Sequence, residues 1–157
     1  MGRLRIYGLA CLACVAGATA AHVAIAAPRV PGRALPSHRL TPGAHFPVGR
    51  AAICKPGYAR RVRDVPEREK DAAYARYHTR RVAYAYEVDH LVSLELGGSN
   101  AITNLWPEHY YDPWGARTKD RLENRLHQLV CEGRLGLAWA QRQEAANWIE
   151  AYKRYVG

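Results

Sequence analysis

The sequence has little cysteine: four residues in 157, two of which, Cys11 and Cys14, lie in the N-terminal segment. The rest of the chain has only Cys54 and Cys131, and no pair of histidines accompanies them. Two cysteines cannot supply the four thiolates of a structural zinc site, so the sequence excludes a zinc-finger protein. The chain also lacks an internal repeat and a phosphate-cradling glycine motif, which excludes repeat architectures and P-loop nucleotide binding.

Residues 1–27 have the pattern of a signal peptide. Two arginines form a positive start, residues 6–27 are apolar apart from one histidine, and small residues offer a cleavage site after Ala26 or Ala27. The apolar stretch also approaches the length of a membrane span, so a retained anchor is the alternative; its alanine richness and small-residue end favour cleavage. The sequence therefore predicts a periplasmic or secreted protein without stable membrane association after cleavage.

The chain is basic, with 23 lysines and arginines against 14 acidic residues and a net charge of +9. Cleavage of the signal peptide removes two basic residues and no acidic one, which leaves about +7. This charge predicts an acidic partner. The polyphosphate backbone of nucleic acid is the commonest one, but an anionic membrane or cell-wall polymer would also attract such a protein, and charge alone does not choose between them.

An exported protein with two remaining cysteines is expected to join them in one disulfide. A bond between Cys54 and Cys131 would close 77 residues of chain. In the loop-entropy model, such a bond constrains the unfolded chain by roughly 4 kcal/mol. Two buried free thiols are the alternative.

The proline-rich residues 28–47 predict an extended linker or surface-hugging arm, followed by one domain over residues 48–157. Periodicity and capping signals in that domain predict an α+β fold. Its predicted elements are a helix from Pro66, a strand within 82–88, an extended segment before Pro107, a helix from about 112 to 133, and a helix from 137 to about 155. Trp106, Trp139 and Trp148 lie in or beside apolar segments and are predicted in the core rather than as base-stacking platforms.

Asp89 and His90 stand side by side at the end of the predicted strand, before the glycine pair Gly97-Gly98 and Asn104. At a strand end, adjacent side chains no longer need to point to opposite faces, so both are expected to face one pocket. A carboxylate is a good ligand for a hard divalent cation, and a neutral imidazole can take a proton from water at neutral pH. The amide of Asn104 can bond to loop backbone, and the glycines predict a tight turn with positive φ.

The segments "DHLVSLELGGSN" and "NLWPE" resemble the HNH branch of the ββα-metal, or His-Me finger, nucleases, over about 35 residues. The resemblance implies a ββα-metal hairpin-plus-helix core with additional packed helices, in a small exported bacterial protein. It also implies a metal-dependent endonuclease that hydrolyses phosphodiester bonds. His90 and Asn104 would be its catalytic residues, as general base and loop organiser, and Asp89 would bind one divalent ion, Mg, Mn, Ni or Zn.

One position departs from the pattern of that family. Its late metal-binding histidine should fall within residues 114–120, which contain no histidine; Ala116 or Arg117 stands there. Another group completes the site, or water fills the gap, or the metal is lost. The groups near enough in sequence to complete it are Glu108, His109, Asp112 and Asp120.

Arg117, Lys119 and Arg121 cluster early on the helix that would flank the site, and they are predicted to contact nucleic acid. A merely solvated helix face is the alternative for this cluster. DNA is expected ahead of RNA as the partner. Two other functions stay open: a catalytically degenerate HNH-like module that binds nucleic acid or an anionic envelope polymer, and a structural envelope protein.

Overall fold

The computed structural model describes residues 34–111 and 113–157. The predicted signal peptide and the start of the proline-rich segment lie outside these residues. The described elements are helices α1 (Arg50–Ile53), α2 (Tyr58–Val62) and α3 (Glu67–Arg76), strands β1 (Tyr86–His90) and β2 (Leu105–His109), and helices α4 (Ala116–Cys131) and α5 (Leu137–Tyr155). Two short 3₁₀ turns, Leu94–Leu96 and Ile102–Asn104, lie between the strands. This mixture of helices and strands confirms the predicted α+β class.

Strands β1 and β2 form an antiparallel hairpin whose register runs from Tyr86 opposite His109 to His90 opposite Leu105. Strand β1 begins later than the alternating pattern predicts. Tyr84 is exposed and has a φ of 62°, a left-handed conformation that breaks extended structure. The chain therefore turns before Tyr86, and the alternation upstream of it does not mark a strand.

Helices α4 and α5 supply most of the core. Leu122, Leu126 and Val130 recur at intervals of four along α4 and are fully buried, as expected for the apolar stripe of a core-facing helix. Each such side chain contributes about 1.5–3 kcal/mol through burial. They pack with residues of α5 and of the hairpin, including the buried Trp148 and Trp106.

The two late helices follow their sequence signals closely. Helix α5 begins and ends at the predicted residues, whereas α4 begins at Ala116 because Gly115 is still extended. Gly133, with a φ of 74°, ends the α4 segment as predicted. The core prediction for Trp139 is wrong: this side chain is 43% exposed, and its indole N–H donates to the Tyr155 hydroxyl at 3.0 Å.

The described part of the proline-rich segment, residues 34–47, lies against the loop between the strands. Gly43 donates its N–H to the carbonyl of Thr103 at 3.1 Å, and Ala44 accepts from the N–H of Ser99 at 3.0 Å. These backbone bonds satisfy polar groups of both partners. This part of the segment is therefore packed as an arm.

The predicted disulfide between Cys54 and Cys131 is confirmed, with a Cα–Cα distance of 5.7 Å. It joins the residue after α1 to the last residue of α4. A disulfide indicates a location outside the cytoplasm. None of the helices in the described residues combines the length and apolar character that crossing a membrane requires.

Candidate active site

The hairpin carries Asp89 and His90 to the end of β1, where they lie opposite Trp106 and Leu105. The Asp89 side chain is 18% exposed, whereas His90 is only 2% exposed. The two side chains have different hydrogen-bond partners. The carboxylate of Asp89 contacts helix α4, and the imidazole of His90 contacts the loop that follows β1.

The buried side chain of Asn104 holds the loop between the strands. Its Oδ1 accepts from the N–H groups of Val92 at 2.9 Å and Ala44 at 3.2 Å. Its Nδ2 donates to the carbonyls of Val92 at 3.0 Å and Ser99 at 2.9 Å. All four hydrogen-bonding positions of the amide are used, so one side chain ties both parts of the loop to the arm.

The two glycines of this loop are required for different reasons. Gly97 has a φ of 80°, the left-handed conformation that the sequence predicts. Gly98 instead lies so close to the carbonyl of Val92 that a Cβ atom would overlap it. The expected positive φ therefore applies to Gly97, and Gly98 serves a close backbone approach.

The imidazole of His90 is held in one tautomer. Its Nε2 lies 3.0 Å from Oδ1 of Asn100, and the Nδ2 of Asn100 donates to the Val62 carbonyl at 2.7 Å. Because the second contact fixes the amide orientation, Oδ1 must accept from Nε2–H of His90. Nδ1 of His90 then carries the lone pair, and this buried nitrogen has no hydrogen-bond partner among the described residues.

Electrostatics keep this imidazole neutral at neutral pH. Burial lowers the pKa of His90, while the charge of Asp89 and the hydrogen bond to Asn100 oppose that effect only in part. A smaller lowering comes from Arg63, just after α2. A neutral imidazole with a free lone pair is the form that can accept a proton.

The carboxylate of Asp89 is paired with a lysine of α4. Its Oδ2 accepts from Nζ of Lys119 at 2.7 Å, and the same ammonium donates to the carbonyl of His90 at 2.7 Å and to the carboxylate of Glu123. Lys119 is only 1% exposed. Burial alone would raise the pKa of Asp89, but Lys119 and a hydrogen bond with Glu108 outweigh it and lower that pKa to about 2.

Further carboxyl groups surround this ammonium. Burial and the charge of Asp89 raise the pKa of Glu108 well above its usual value, so Glu108 keeps its proton to higher pH than an exposed glutamate does. Its proton is then available to Asp89, and no donor group of the described residues reaches either oxygen of Glu108. Burial also raises the pKa of Glu123, to about 8, against the charge of Lys119. The cluster thus keeps Asp89 ionised opposite one buried cation.

The residues around Asp89 do not fit the divalent ion that the resemblance implies. Lys119 already holds the carboxylate, and in the described chain no three carboxylate or imidazole groups around Asp89 bring their ligand atoms within 4.8 Å of one another. A set that does is Cys54, His127 and Cys131, which could hold a metal ion. It is a weak candidate because its sulfurs are joined in the disulfide and are not thiolates.

The groups near enough in sequence to replace the missing histidine differ in their contacts with Asp89. Glu108 hydrogen-bonds to Asp89, and the exposed Asp120 is close enough to feel its charge. His109 follows Glu108 in β2 and packs on the ring of Tyr86, with the ring centroids 4.4 Å apart. Asp112 lies outside the described residues.

Two of the three predicted nucleic-acid contacts are exposed on α4. The side chain of Arg117 is 69% exposed and lies over the ring of Tyr110 at 5.1 Å, and Arg121 lies over the ring of Tyr152 at 5.1 Å. The prediction for Lys119 is wrong because its position points inward. Two residues advance about 200° around a helix, so Lys119 faces away from the surface that its neighbours share.

Sequence reasoning missed the partners of the motif residues. Asn100, which orients His90, is one of many polar loop residues, and nothing in its spacing singles it out. Arg63 is exposed, lies near His90, and forms no ion pair with another described residue. Lys119 and Glu123 have the i, i+4 spacing of an ion pair on a helix, so their contact was predictable from the sequence. The spacing does not indicate that Lys119 also pairs with Asp89.

Comparisons with protein-family models, curated proteins and solved structures find no match to this chain. The HNH resemblance therefore stays an expectation from the sequence. The functional argument depends on the geometry around His90 and Asp89.

Proposed function

We propose that this protein is a periplasmic or secreted hydrolase that cleaves the phosphodiester bonds of nucleic acid, with His90 as general base. The observation that supports it best is the orientation of His90. One nitrogen of this imidazole donates to Asn100 at 3.0 Å, and the other has a lone pair to which no group of residues 34–111 or 113–157 donates. A neutral imidazole fixed in this way presents one basic nitrogen that can accept a proton.

The proposed chemistry starts with the free Nδ1 of His90. This nitrogen takes a proton from a water molecule as the water oxygen attacks the phosphorus. The bond from phosphorus to the leaving oxygen breaks on the opposite side, and that oxygen takes a proton from solvent water. The lowered pKa of His90 keeps the imidazole able to accept that proton at neutral pH. Asn100 and Asn104 act as positioning residues, because they fix the imidazole and the loop beside it.

The order of elements also supports this function. A hairpin is followed by α4, whose Lys119 contacts the end of β1, and this order suits the ββα arrangement that the HNH resemblance implies. The loop between the strands is held by Asn104, in the role that the resemblance assigns to it. We therefore include the HNH-like fold in the proposal.

Exposed arginines near the site would contact the phosphates. The charge of Arg63 lowers the pKa of His90, so this guanidinium acts on the imidazole. Arg117 and Arg121 line the exposed side of α4. The net charge of about +7 that remains after cleavage of the signal peptide would add general attraction for a polyanion. DNA is proposed ahead of RNA as the substrate.

The sequence also predicts a divalent ion on Asp89, and such an ion would supply positive charge to the phosphate. Because Lys119 holds the Asp89 carboxylate at 2.7 Å, the proposed reaction includes no step that depends on the ion. The metal ion that the resemblance implies is therefore left out of the proposed reaction, and chelators test that omission.

A second candidate function is a binding module that holds nucleic acid without cleaving it. The burial of His90, 2% exposed, favours it, because a substrate reaches Nδ1 only when the surrounding structure opens locally. Such a module would use the exposed arginines in the same way. It would bind with an affinity that falls with salt and would release no product.

The test uses the oxidised protein with supercoiled plasmid and single-stranded RNA, with and without added divalent ions. His90→Gln keeps an amide that can bond to Asn100 but has no titratable nitrogen, and His38→Gln, an exposed position on the arm, is the matched control. We expect His90→Gln to lower the cleavage rate by about 100-fold or more, since general-base catalysis contributes about 10²–10⁴-fold. Cleavage by His90→Gln at the rate of the control would overturn the proposal, and binding without product would favour the module.

A further inference from the structure

The geometry points to Lys119 as the resident cation of Asp89: its ammonium holds the position that a divalent ion would take, and the site operates without a metal ion bound by Asp89. The consequence for catalysis rests on the proposed function. The consequence for metal binding does not, because it concerns only the contacts of these side chains.

The ammonium of Lys119 is fully coordinated by oxygen atoms. It lies 2.7 Å from Oδ2 of Asp89 and 2.7 Å from the carbonyl of His90, and it also contacts the carboxylate of Glu123. An ammonium has three hydrogens, and three acceptors use all of them. The side chain is 1% exposed, so the ammonium has no aqueous position to move into while α4 stays in place.

This arrangement opposes metal binding on two grounds. A divalent ion bound to Oδ2 of Asp89 would lie about 2–2.6 Å from that oxygen and thus beside the ammonium, where like charges repel. Displacing the ammonium would instead leave a buried charge without a counterion. Lys119 therefore satisfies Oδ2 of Asp89 and opposes a second cation at that oxygen.

The surrounding oxygens nevertheless form the kind of cluster that a hard cation binds. Glu108 is fully buried, and in the part of the chain that the structure describes neither of its oxygens accepts a hydrogen bond from a donor group. Its carboxyl group lies beside Asp89 and feels the charge of Lys119. If the lysine side chain were removed, the carboxyl groups of Asp89 and Glu123 and the carbonyl of His90 would face the space that the ammonium leaves, and these are oxygen ligands of the type that Mg²⁺ and Mn²⁺ prefer.

The test is a titration with Mn²⁺ followed by electron paramagnetic resonance of the free ion, using oxidised protein that has been treated with chelator. We expect no saturable site in the unmodified protein or in the control Lys55→Ala, which changes an exposed lysine. Lys119→Ala should gain one saturable site and a higher Tm with added Mn²⁺. Lys119→Ala combined with Asp89→Asn should lose that site again.

Saturable Mn²⁺ binding by the unmodified protein that disappears in Asp89→Asn would overturn the inference. This measurement decides the question even if Lys119→Ala does not fold. Cleavage gives a separate readout. The unmodified protein should retain its cleavage rate within about 2-fold in excess chelator. A loss of about 10-fold or more that Mg²⁺ or Mn²⁺ restores would contradict the metal-free site. Absence of cleavage under every condition would refute the proposed function alone, since the Mn²⁺ titration does not depend on activity.

Discussion

His90 and Asn100 are joined by a hydrogen bond of 3.0 Å between Nε2 and Oδ1. This bond determines which nitrogen of His90 bears the proton, since the other side of the Asn100 amide is committed to the Val62 carbonyl. The basic nitrogen is consequently Nδ1. A side chain ten residues away in sequence thus decides the chemistry that His90 can perform.

Asn100→Ala should reduce cleavage by about 10- to 100-fold, the usual effect of removing a partner that orients a reactive histidine. Asn100→Asp should instead raise the pKa of His90, because a carboxylate favours the imidazolium. Since only the neutral imidazole acts as base, the acidic limb of the pH–rate profile should move to higher pH. Rates measured from pH 5 to 9, with ¹⁵N spectra of His90 as a tautomer readout, would check both variants; an unchanged profile in Asn100→Asp would count against the assigned role.

Arg63→Ala should weaken the binding of nucleic acid by about 10-fold, because a guanidinium near His90 would no longer contact a phosphate. Arg134→Ala is the matched control, as Arg134 is exposed but already paired with Glu132. Fluorescence anisotropy with a labelled oligonucleotide, repeated over a range of salt concentrations, measures the effect. The slope of log affinity against log salt should fall by about one for Arg63→Ala, and equal behaviour of the two variants would exclude a phosphate contact at Arg63.

Asn104→Ala should lower the free energy of unfolding by about 3–5 kcal/mol, because backbone groups that bond to this amide lose their buried partner. The control is Asn124→Ala, an exposed position on α4 whose amide bonds only to the Asp120 carbonyl. Urea denaturation measures both variants. A difference of less than about 1 kcal/mol between them would mean that Asn104 is dispensable for the loop.

Glu108→Gln should stabilise the protein increasingly as the pH rises. The pKa of Glu108 is raised in the folded state, so its favourable contribution is present below the unfolded pKa of 4.5 and is lost as the pH rises towards the folded pKa. A glutamine side chain does not ionise, so it removes this loss of stability at higher pH, and its amide can still donate to Asp89. Thermal unfolding at pH 4.5 and pH 8 should give similar Tm values for both proteins at the lower pH and a higher Tm for Glu108→Gln at the higher one. A difference that shrinks with pH would contradict the protonated state of Glu108.

Local patterns predicted the longer elements of the fold. Helix α5 matches its predicted range, and the Cys54–Cys131 bond follows from the number of cysteines outside the signal peptide. Helices α1 and α2, of four and five residues, are too short to show a helical period and were not predicted. The strand prediction failed at Tyr84 because alternation reports side-chain polarity and not the sign of φ.

The site was predictable only where its residues are close in sequence. Asp89, His90 and Asn104 were found as one motif, and Asn104 does contact the backbone of its own loop. The contact between Asp89 and Lys119 spans 30 residues and exists because α4 packs on the hairpin. No local pattern contains that information, so Lys119 was assigned to the surface cluster of its sequence neighbours.

The arm supports the loop beside His90, although it lies far upstream of that loop in sequence. Within the arm, the N–H of Ala44 bonds to Oδ1 of Asn104, and Thr41 donates its hydroxyl hydrogen to the carbonyl of Leu105 at 3.0 Å. A protease that trimmed the chain just before Val48 would remove both contacts while leaving every motif residue covalently intact. The shape of the loop therefore depends on a stretch whose composition is that of a spacer.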